Sequence, residues 1–317
     1  MAERGCPVNT DLRQAAADYL RLRRSFGYKL ADHDWLITQF LDHMAETGST
    51  TITVGNALAF AQIPAAASRR WHATRLDVIR GFSAFAHASN PDAAELIPPG
   101  LIYARVSRRI PYLYSEEQIR ALMSRAEVLR PKIFGATMST FIGLIAATGI
   151  RSGEAIKIDI EDLSGDRHVM TVTGKCGRKR LVPLHSSTAA ALNGYLRLRA
   201  TVASAPRTGP LFVGYRGSRL NKNSARAAFR QVADAADLPS SPGAESPRLH
   251  DFRHTFAVNS VIDAHRQGAD VDARIAALAT YLGHVDPVYT YWYLTASPEL
   301  MTLVTTRMSA DWEGQRR

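Results

Sequence analysis

Two arginines, two histidines, a lysine and a tyrosine stand in a fixed order in the last two-thirds of this 317-residue chain. They are Arg151 in TGIRSGE (148–154), Lys175 in TGKCGRKRLVPL (173–184), His250 and Arg253 in LHDFRHTF (249–256), His284 in LGH (282–284), and Tyr293. Side chains of these types can break a phosphodiester without a metal ion. Guanidinium and imidazole groups orient and neutralise the phosphate, and charge stabilisation of this kind is the main lever in phosphoryl transfer. The lysine can protonate a departing oxygen, because burial or a neighbouring cation lowers an ammonium pKa. The tyrosine can attack. A phenol with a pKa of about 10 is a weak nucleophile at neutral pH, so the same cations must ease the loss of its proton.

Each of these residues also has an ordinary reading. Arg151 follows a helix stop at Gly149 and can simply pair with Glu154 three residues on. With Arg253 added, phosphate binding is the better account, and Glu154 becomes the group that orients an arginine. His250 and His254 have the four-residue spacing of a zinc pair. Against a metal, position 251 is Asp, Arg253 lies between them and no third ligand is near. His250 and Arg253, three apart, share one helix face instead, and His254 is assigned to packing. Lys175 falls in the turn of a hairpin, close enough in principle to swing toward a leaving oxygen. Arg178, Lys179 and Arg180 beside it are assigned to a phosphate backbone, with Lys179 as the fallback acid. The run VYTYWYLT offers Tyr289, Tyr291 and Tyr293, and residue type alone does not choose among them.

Taken in order, these motifs resemble the tyrosine recombinase (phage integrase) family over roughly residues 112–295. Arg151 and Glu154 match its TGxRxxE segment, His250 and Arg253 its HxxR box, and His284 its LGH box. Lys175 matches the hairpin lysine, followed as usual by a basic stretch and VPL. Tyr293, nine positions after His284, has the spacing of the family's nucleophile. The resemblance implies that Tyr293 attacks the scissile phosphate and leaves a 3′-phosphotyrosyl link while Lys175 protonates the 5′-oxygen. A second strand's 5′-hydroxyl then reverses the step, with no cofactor and no metal. It implies double-stranded DNA as partner, a homo-tetramer on paired sites, and other recombinases of the same element as further partners. Two departures stand out. The His250 to His284 interval is long, with RQGADVDAR (266–274) as the added length, and TYWYLTASPEL resembles transposon-borne members.

The elements that must carry these residues read as two domains. Residues 1–103 form an all-α bundle, which the resemblance identifies with the family's SAM-like core-binding domain. Helices are expected over 11–30, across Trp35 to Met44, over Val54–Phe60 and from Ser68 to Ala88, with Leu12, Leu22, Trp35 and Phe40 among the apolar positions. Residues 104–111 are a basic linker, with Arg105, Arg108 and Arg109 set to lie along DNA and Pro111 at its end. Residues 112–317 form a mainly helical α+β catalytic domain. It opens with a capping box at Ser115 and Gln118. Helices follow at 116–126, 133–148, 187–203, 221–236, 250–266 and 271–282, and strands at 168–173 and 179–184 flank the Gly174/Gly177 turn. PSSPGAESP (239–247) reads as a loop. In the tail (about 295–317), Leu300, Val304, Met308 and Trp312 recur every four residues as one apolar stripe.

Composition narrows the partner. The net charge is +10 and the isoelectric point about 9.8, which points to a polyanion. Residues 1–107 carry 11 Lys and Arg against 10 Asp and Glu, whereas residues 108–317 carry 28 against 19. The second domain therefore supplies most of the salt-sensitive affinity. Cys6 and Cys176 are too few for a disulfide framework or a cysteine-rich zinc site. No signal layout and no apolar run of membrane-spanning length is evident. The expected setting is the bacterial cytoplasm, at the nucleoid. Two rival readings are a type IB topoisomerase, with the same chemistry, and a DNA-binding protein without catalysis.

Overall fold

A computed structural model describes residues 7–28, 30–104, 110–174, 177–202, 208–238, 246–283 and 302. The chain divides into two compact units, Met1–Arg108 and Arg109–Arg317. The linker arginines Arg105, Arg108 and Arg109 lie outside the described residues.

The first unit is a bundle of four helices, α1 (Pro7–Ser25), α2 (Ala31–Glu46), α3 (Val54–Gln62) and α4 (Arg69–Ser89). Helical spacing puts Leu12, Ala16, Tyr19 and Leu20 of α1 on one buried face. Leu36, Ile37, Phe40, Leu41 and Met44 of α2 meet them, with Leu76, Ile79 and Phe82 of α4. Tyr19 sets the spacing of α1 from α4. It lies against Phe82 and Phe85, and a Cβ on Gly81 would come within 2.9 Å of its hydroxyl. Arg75 is buried inside the unit, with its guanidinium 4.0 Å over the Phe60 ring and Nη2 donating to the Phe60 carbonyl at 2.9 Å. Two expectations change. The first helix stops at Ser25 instead of running to residue 30, because the chain turns at Gly27, whose φ is 85°. Leu22 and Trp35 are exposed, at 44% and 49%, so neither belongs to the core.

The second unit is mainly helical: α5 (Glu116–Glu127), α6 (Lys132–Thr148), α7 (Ser152–Ala155), α8 (Ser186–Ala200), α9 (Lys222–Ala235), α10 (Asp251–Arg266) and α11 (Val271–Leu282). The apolar segment around residues 141–147 is the middle of α6, which is buried along most of its length by Phe134, Met138, Phe141, Ile142 and Ile145. A Cβ at Gly135 would sit 2.7–3.0 Å from three carbonyl oxygens at the end of α5, so this glycine permits the close α5–α6 approach. The capping box at Ser115 and Gln118 forms as expected.

Strands β1 (Val169–Thr173) and β2 (Lys179–Pro183) pair antiparallel, with Thr173 opposite Lys179. Met170, Val172 and Val182 point inward while Leu181 is exposed. The hairpin is closed by Gly174 N–H donating to the Arg178 carbonyl at 2.8 Å. A short turn at 267–270 joins α10 to α11, and Val271 to Arg274 are already helix. Of the 239–247 loop only residues 246 and 247 are described, and the tail stripe falls outside the described residues. No described helix is long and apolar enough to cross a membrane.

Candidate active site

Arg151 is placed by the end of α6. That helix stops at Gly149, whose φ is 62°, and a Cβ there would press to 2.5 Å from the Phe256 ring. The chain then enters α7, one turn long, with Arg151 at its N-cap. Glu154, three residues on, accepts from the Arg151 backbone N–H at 3.1 Å and from its Nη1 at 2.9 Å. So the ion pair suggested by the sequence exists, and it leaves Arg151 about one-third exposed.

A second cation shares that carboxylate. Arg180 of β2 donates from Nη2 to Glu154 Oε2 at 2.7 Å. Burial of Glu154 works to raise its pKa. The hydrogen bond and charge of Arg180, then those of Arg151, outweigh it and hold the carboxyl below its ordinary range. Arg178 and Lys179 are exposed on the same hairpin. Arg180 differs from these two: its side chain is only 16% exposed and is directed at Glu154.

His250 and Arg253 arise from the first turn of α10. Arg253 is buried at 1% exposure. Its Nη1 donates to the Gly149 carbonyl at 3.1 Å and its Nη2 to the Leu282 carbonyl at 2.7 Å. One guanidinium thus joins the end of α6 to the end of α11. The latter runs into Gly283, at φ 68°, and so into the LGH box. His250 keeps an exposed edge. Desolvation, then the charges of Arg253, Arg151 and Arg248, push its pKa down to about 4, which places it within electrostatic reach of all three arginines. His254 packs, as assigned, with its ring edge-on to His250 at 5.0 Å.

Several contributing residues were not picked out from the sequence. Asp251, fully buried, accepts from Arg248 N–H at 2.9 Å. Tyr114 stacks on Phe252 at 4.2 Å, donates its hydroxyl to the Arg248 carbonyl, and donates its backbone N–H to Thr255 Oγ1. Together they fix the start of α10. Burial pushes the Tyr281 phenol up to about 12, against the opposing charges of Arg180 and Arg253. On α9, Lys222, Arg226 and Arg230 recur every four residues on the exposed face, opposite buried Ala225, Phe229 and Val232. None of these three has a carboxylate partner among the described residues. A Cβ on Gly153 of α7 would lie 3.3 Å from Lys222 Cε, so this basic stripe begins beside the Arg151 turn. Its spacing was readable in the sequence, where only apolar periodicity was followed. Lys175, His284 and Tyr293 lie outside the described residues.

Residues 113–299 match the sequence model of the phage integrase family. The chain belongs to the phage integrase family. The recombinase is 36% identical over 308 residues to y4rB of Sinorhizobium fredii (strain NBRC 101917 / NGR234), an inferred integrase/recombinase, covering 95% of this chain and 98% of that protein. Its fold matches that of the Tn1549 transposon integrase in complex with transposon right end DNA, with a TM-score of 0.62 at 13% identity, over 93% of this chain and 98% of that one. It also matches a lambda integrase from a tetramer bound to a Holliday junction, with a TM-score of 0.59 at 16% identity, over 89% and 76% of the two chains. The expected fold class holds: a helical first unit and a mainly helical second unit with one small antiparallel sheet. The recombinase is an enzyme of site-specific DNA recombination, cutting and rejoining DNA strands. The topoisomerase and non-catalytic readings are not favoured.

Proposed function

We propose that Tyr293 is the nucleophile, and that Arg151, Arg253, His250 and His284 hold the scissile phosphate while Lys175 protonates the leaving oxygen. The observation that carries this reading is that the charges of Arg253 and Arg151 both act on His250, while Arg253 bonds the carbonyl of Gly149, two residues before Arg151. In the attack, the tyrosine oxygen forms a bond to phosphorus and the bond from phosphorus to the 5′-oxygen breaks. The phenolic proton leaves as the new bond forms, and Lys175 supplies a proton to the departing 5′-oxygen. His250 is neutral at pH 7, so a ring nitrogen is free to accept a proton once the phosphate charge beside it raises its basicity. Rejoining runs the same steps backward from a new 5′-hydroxyl.

The wider assignment rests on the same reading. The recombinase acts on double-stranded DNA in the bacterial cytoplasm, at the nucleoid, on behalf of a mobile element. It works as a homo-tetramer across paired sites, with the tail at about 295–317 linking protomers and other recombinases of the same element as further partners. Arg105, Arg108, Arg109, Arg178 and Lys179 contact the DNA backbone, and the α9 face lies against the same duplex.

The test begins with a pool of random-sequence duplexes, nicked so that cleavage releases a short fragment and strands the covalent adduct. The full chain traps its own site from this pool. Tyr293→Phe binds the recovered sequence as tightly as the parent and forms no adduct. An adduct that survives Tyr293→Phe and vanishes in Tyr291→Phe would move the nucleophile.

A further inference from the structure

The role of Arg180 follows from its surroundings and rests on the active-site reading above. Its guanidinium reaches Glu154 at 2.7 Å, on the carboxylate oxygen other than the one that Arg151 Nη1 holds at 2.9 Å. A Cβ on Gly174, at the foot of the hairpin, would lie 3.6 Å from Arg180 Nη1 and 3.7 Å from Glu154 Oε1. A Cβ on Gly283, the glycine of LGH, would lie 3.5 Å from the same Nη1. Three segments therefore close around one side chain: the hairpin stem, the Arg151 turn and the turn that leads to His284.

We propose that Arg180 is a positioning residue for strand cleavage, one that acts through Glu154 on Arg151 and sets the hairpin of Lys175 against the LGH turn. Geometry is half of the argument. A planar guanidinium can bond the carboxylate along one edge and pack flat against two glycines, which a flexible ammonium does less well. Charge is the other half. Glu154 with Arg151 alone is a neutral pair that has little to offer a phosphate. Adding Arg180 leaves the cluster with one net positive charge at Arg151, which is about one-third exposed. A buried carboxylate satisfied from both sides also has less hold on Arg151, which is left freer to turn toward a phosphate.

The test compares Arg180→Met with the parent in the full chain, on the trapped DNA site. The expected result is adduct formation slower by about a hundredfold. DNA affinity and its salt dependence should be unchanged. On the same site with a neutral methylphosphonate at the scissile position, the deficit shrinks to a few-fold, because there is less charge for Arg151 to meet. Arg180→Lys, which restores the charge and not the planar fork, recovers only part of the rate. If Arg180→Met does not fold, Arg180→Gln carries the same comparison, since it keeps a donor to Glu154 and loses the charge.

Two results overturn the proposal. In the first, binding weakens, the salt slope flattens by about one, and cleavage of bound DNA stays near the parent rate, which makes Arg180 a backbone contact. In the second, the deficit is equal on phosphodiester and methylphosphonate, which makes its role one of folding alone. Absence of any adduct from the parent chain would instead sink the active-site reading itself, so the two failures are distinguishable.

Discussion

Arg151 and Arg253 carry the same guanidinium and are held in opposite ways. Arg151 is bound by one carboxylate, itself shared with Arg180, and keeps an open side. Arg253 is sealed in, and both of its terminal nitrogens donate to main-chain carbonyls of helix ends. A charge-held arginine can exchange its carboxylate for a phosphate at little cost to the fold. A carbonyl-held arginine is part of the fold, since two buried acceptors lose their donor with it. The site thus combines an adjustable cation with a fixed one.

The sharpest break of that comparison is by truncation. Arg253→Ala should lower unfolding free energy by about 3–5 kcal/mol, because it strands buried carbonyls and leaves a hole. Arg151→Ala should change it by roughly 1 kcal/mol or less, as expected for a partly exposed ion pair. Its adduct formation should fall by about a hundredfold all the same. Urea unfolding and single-turnover trapping measure the two quantities. Equal stability losses in the two variants would mean that the contrast between them is false.

A smaller effect separates the positions that support them. Gly149 and Gly48 both end helices with similar backbone, at φ 62° and 67°. Only Gly149 is hemmed in, by Phe256 at 2.5 Å, while nothing lies within 4 Å of Gly48. Gly48→Ala should cost about 1 kcal/mol, the ordinary penalty of a left-handed residue. Gly149→Ala should cost roughly 3 kcal/mol and also disturb Arg253, whose partner carbonyl is its own. Thermal unfolding of the two variants checks it, and similar shifts would show that packing around Gly149 yields easily.

How far these arrangements were legible differs by residue. Helix periods, the capping box and the hairpin were readable because apolar spacing and turn chemistry are local signals. The Arg151–Glu154 pair was readable for the same reason, being three residues apart on one turn. Arg180 was grouped with Arg178 and Lys179, its neighbours in sequence, and its pairing with Glu154 was not foreseen. Strand alternation was followed for apolar residues and not for charged ones, and Glu154 lies 26 positions away. Arg253 was read as a phosphate ligand with no hint of its carbonyl partners, since main-chain acceptors carry no sequence signature. Leu22 and Trp35 were counted among the apolar helix positions because amphipathic patterns reward any large apolar side chain, and surfaces hold many of them.

His250 offers a titration that reports on both arginines. With its pKa pushed down to about 4, it stays neutral in the folded protein through the range where an unfolded histidine, at about 6.5, takes up a proton. The unfolded state then binds the extra proton, so stability falls as pH drops from about 6.5 toward 4, and His250→Asn flattens that part of the profile. Ring resonances followed by NMR should show the low value directly. Arg151→Ala should raise it, yet leave it below the ordinary value, because desolvation and the Arg253 charge act more strongly. A His250 that titrates near the ordinary value in the parent would show that the cluster is looser than described.

The smallest effects belong to the open face of α9, where the comparison with Arg253 is most extreme. Lys222, Arg226 and Arg230 are exposed, one turn apart, and bonded to no carboxylate among the described residues. Charges so placed contribute little to folding, so each change to Met should move stability by less than about 0.5 kcal/mol. Their effect should appear only against DNA. A side chain that neutralises one phosphate releases about one counterion, so each loss should flatten the slope of log affinity against log salt by about one. The three losses should add, because the residues share no partner and each meets its own phosphate. Lys222 is the informative one, since it starts the stripe beside Gly153 and the Arg151 turn. If it lies along the same duplex as the scissile phosphate, Lys222→Met should also slow adduct formation by a few-fold at saturating DNA, while Arg230→Met should not. Binding curves at several salt concentrations, on the trapped site and on an unrelated duplex, separate the cases. Unchanged slopes for all three would remove α9 from the DNA interface and leave the hairpin and linker to carry it.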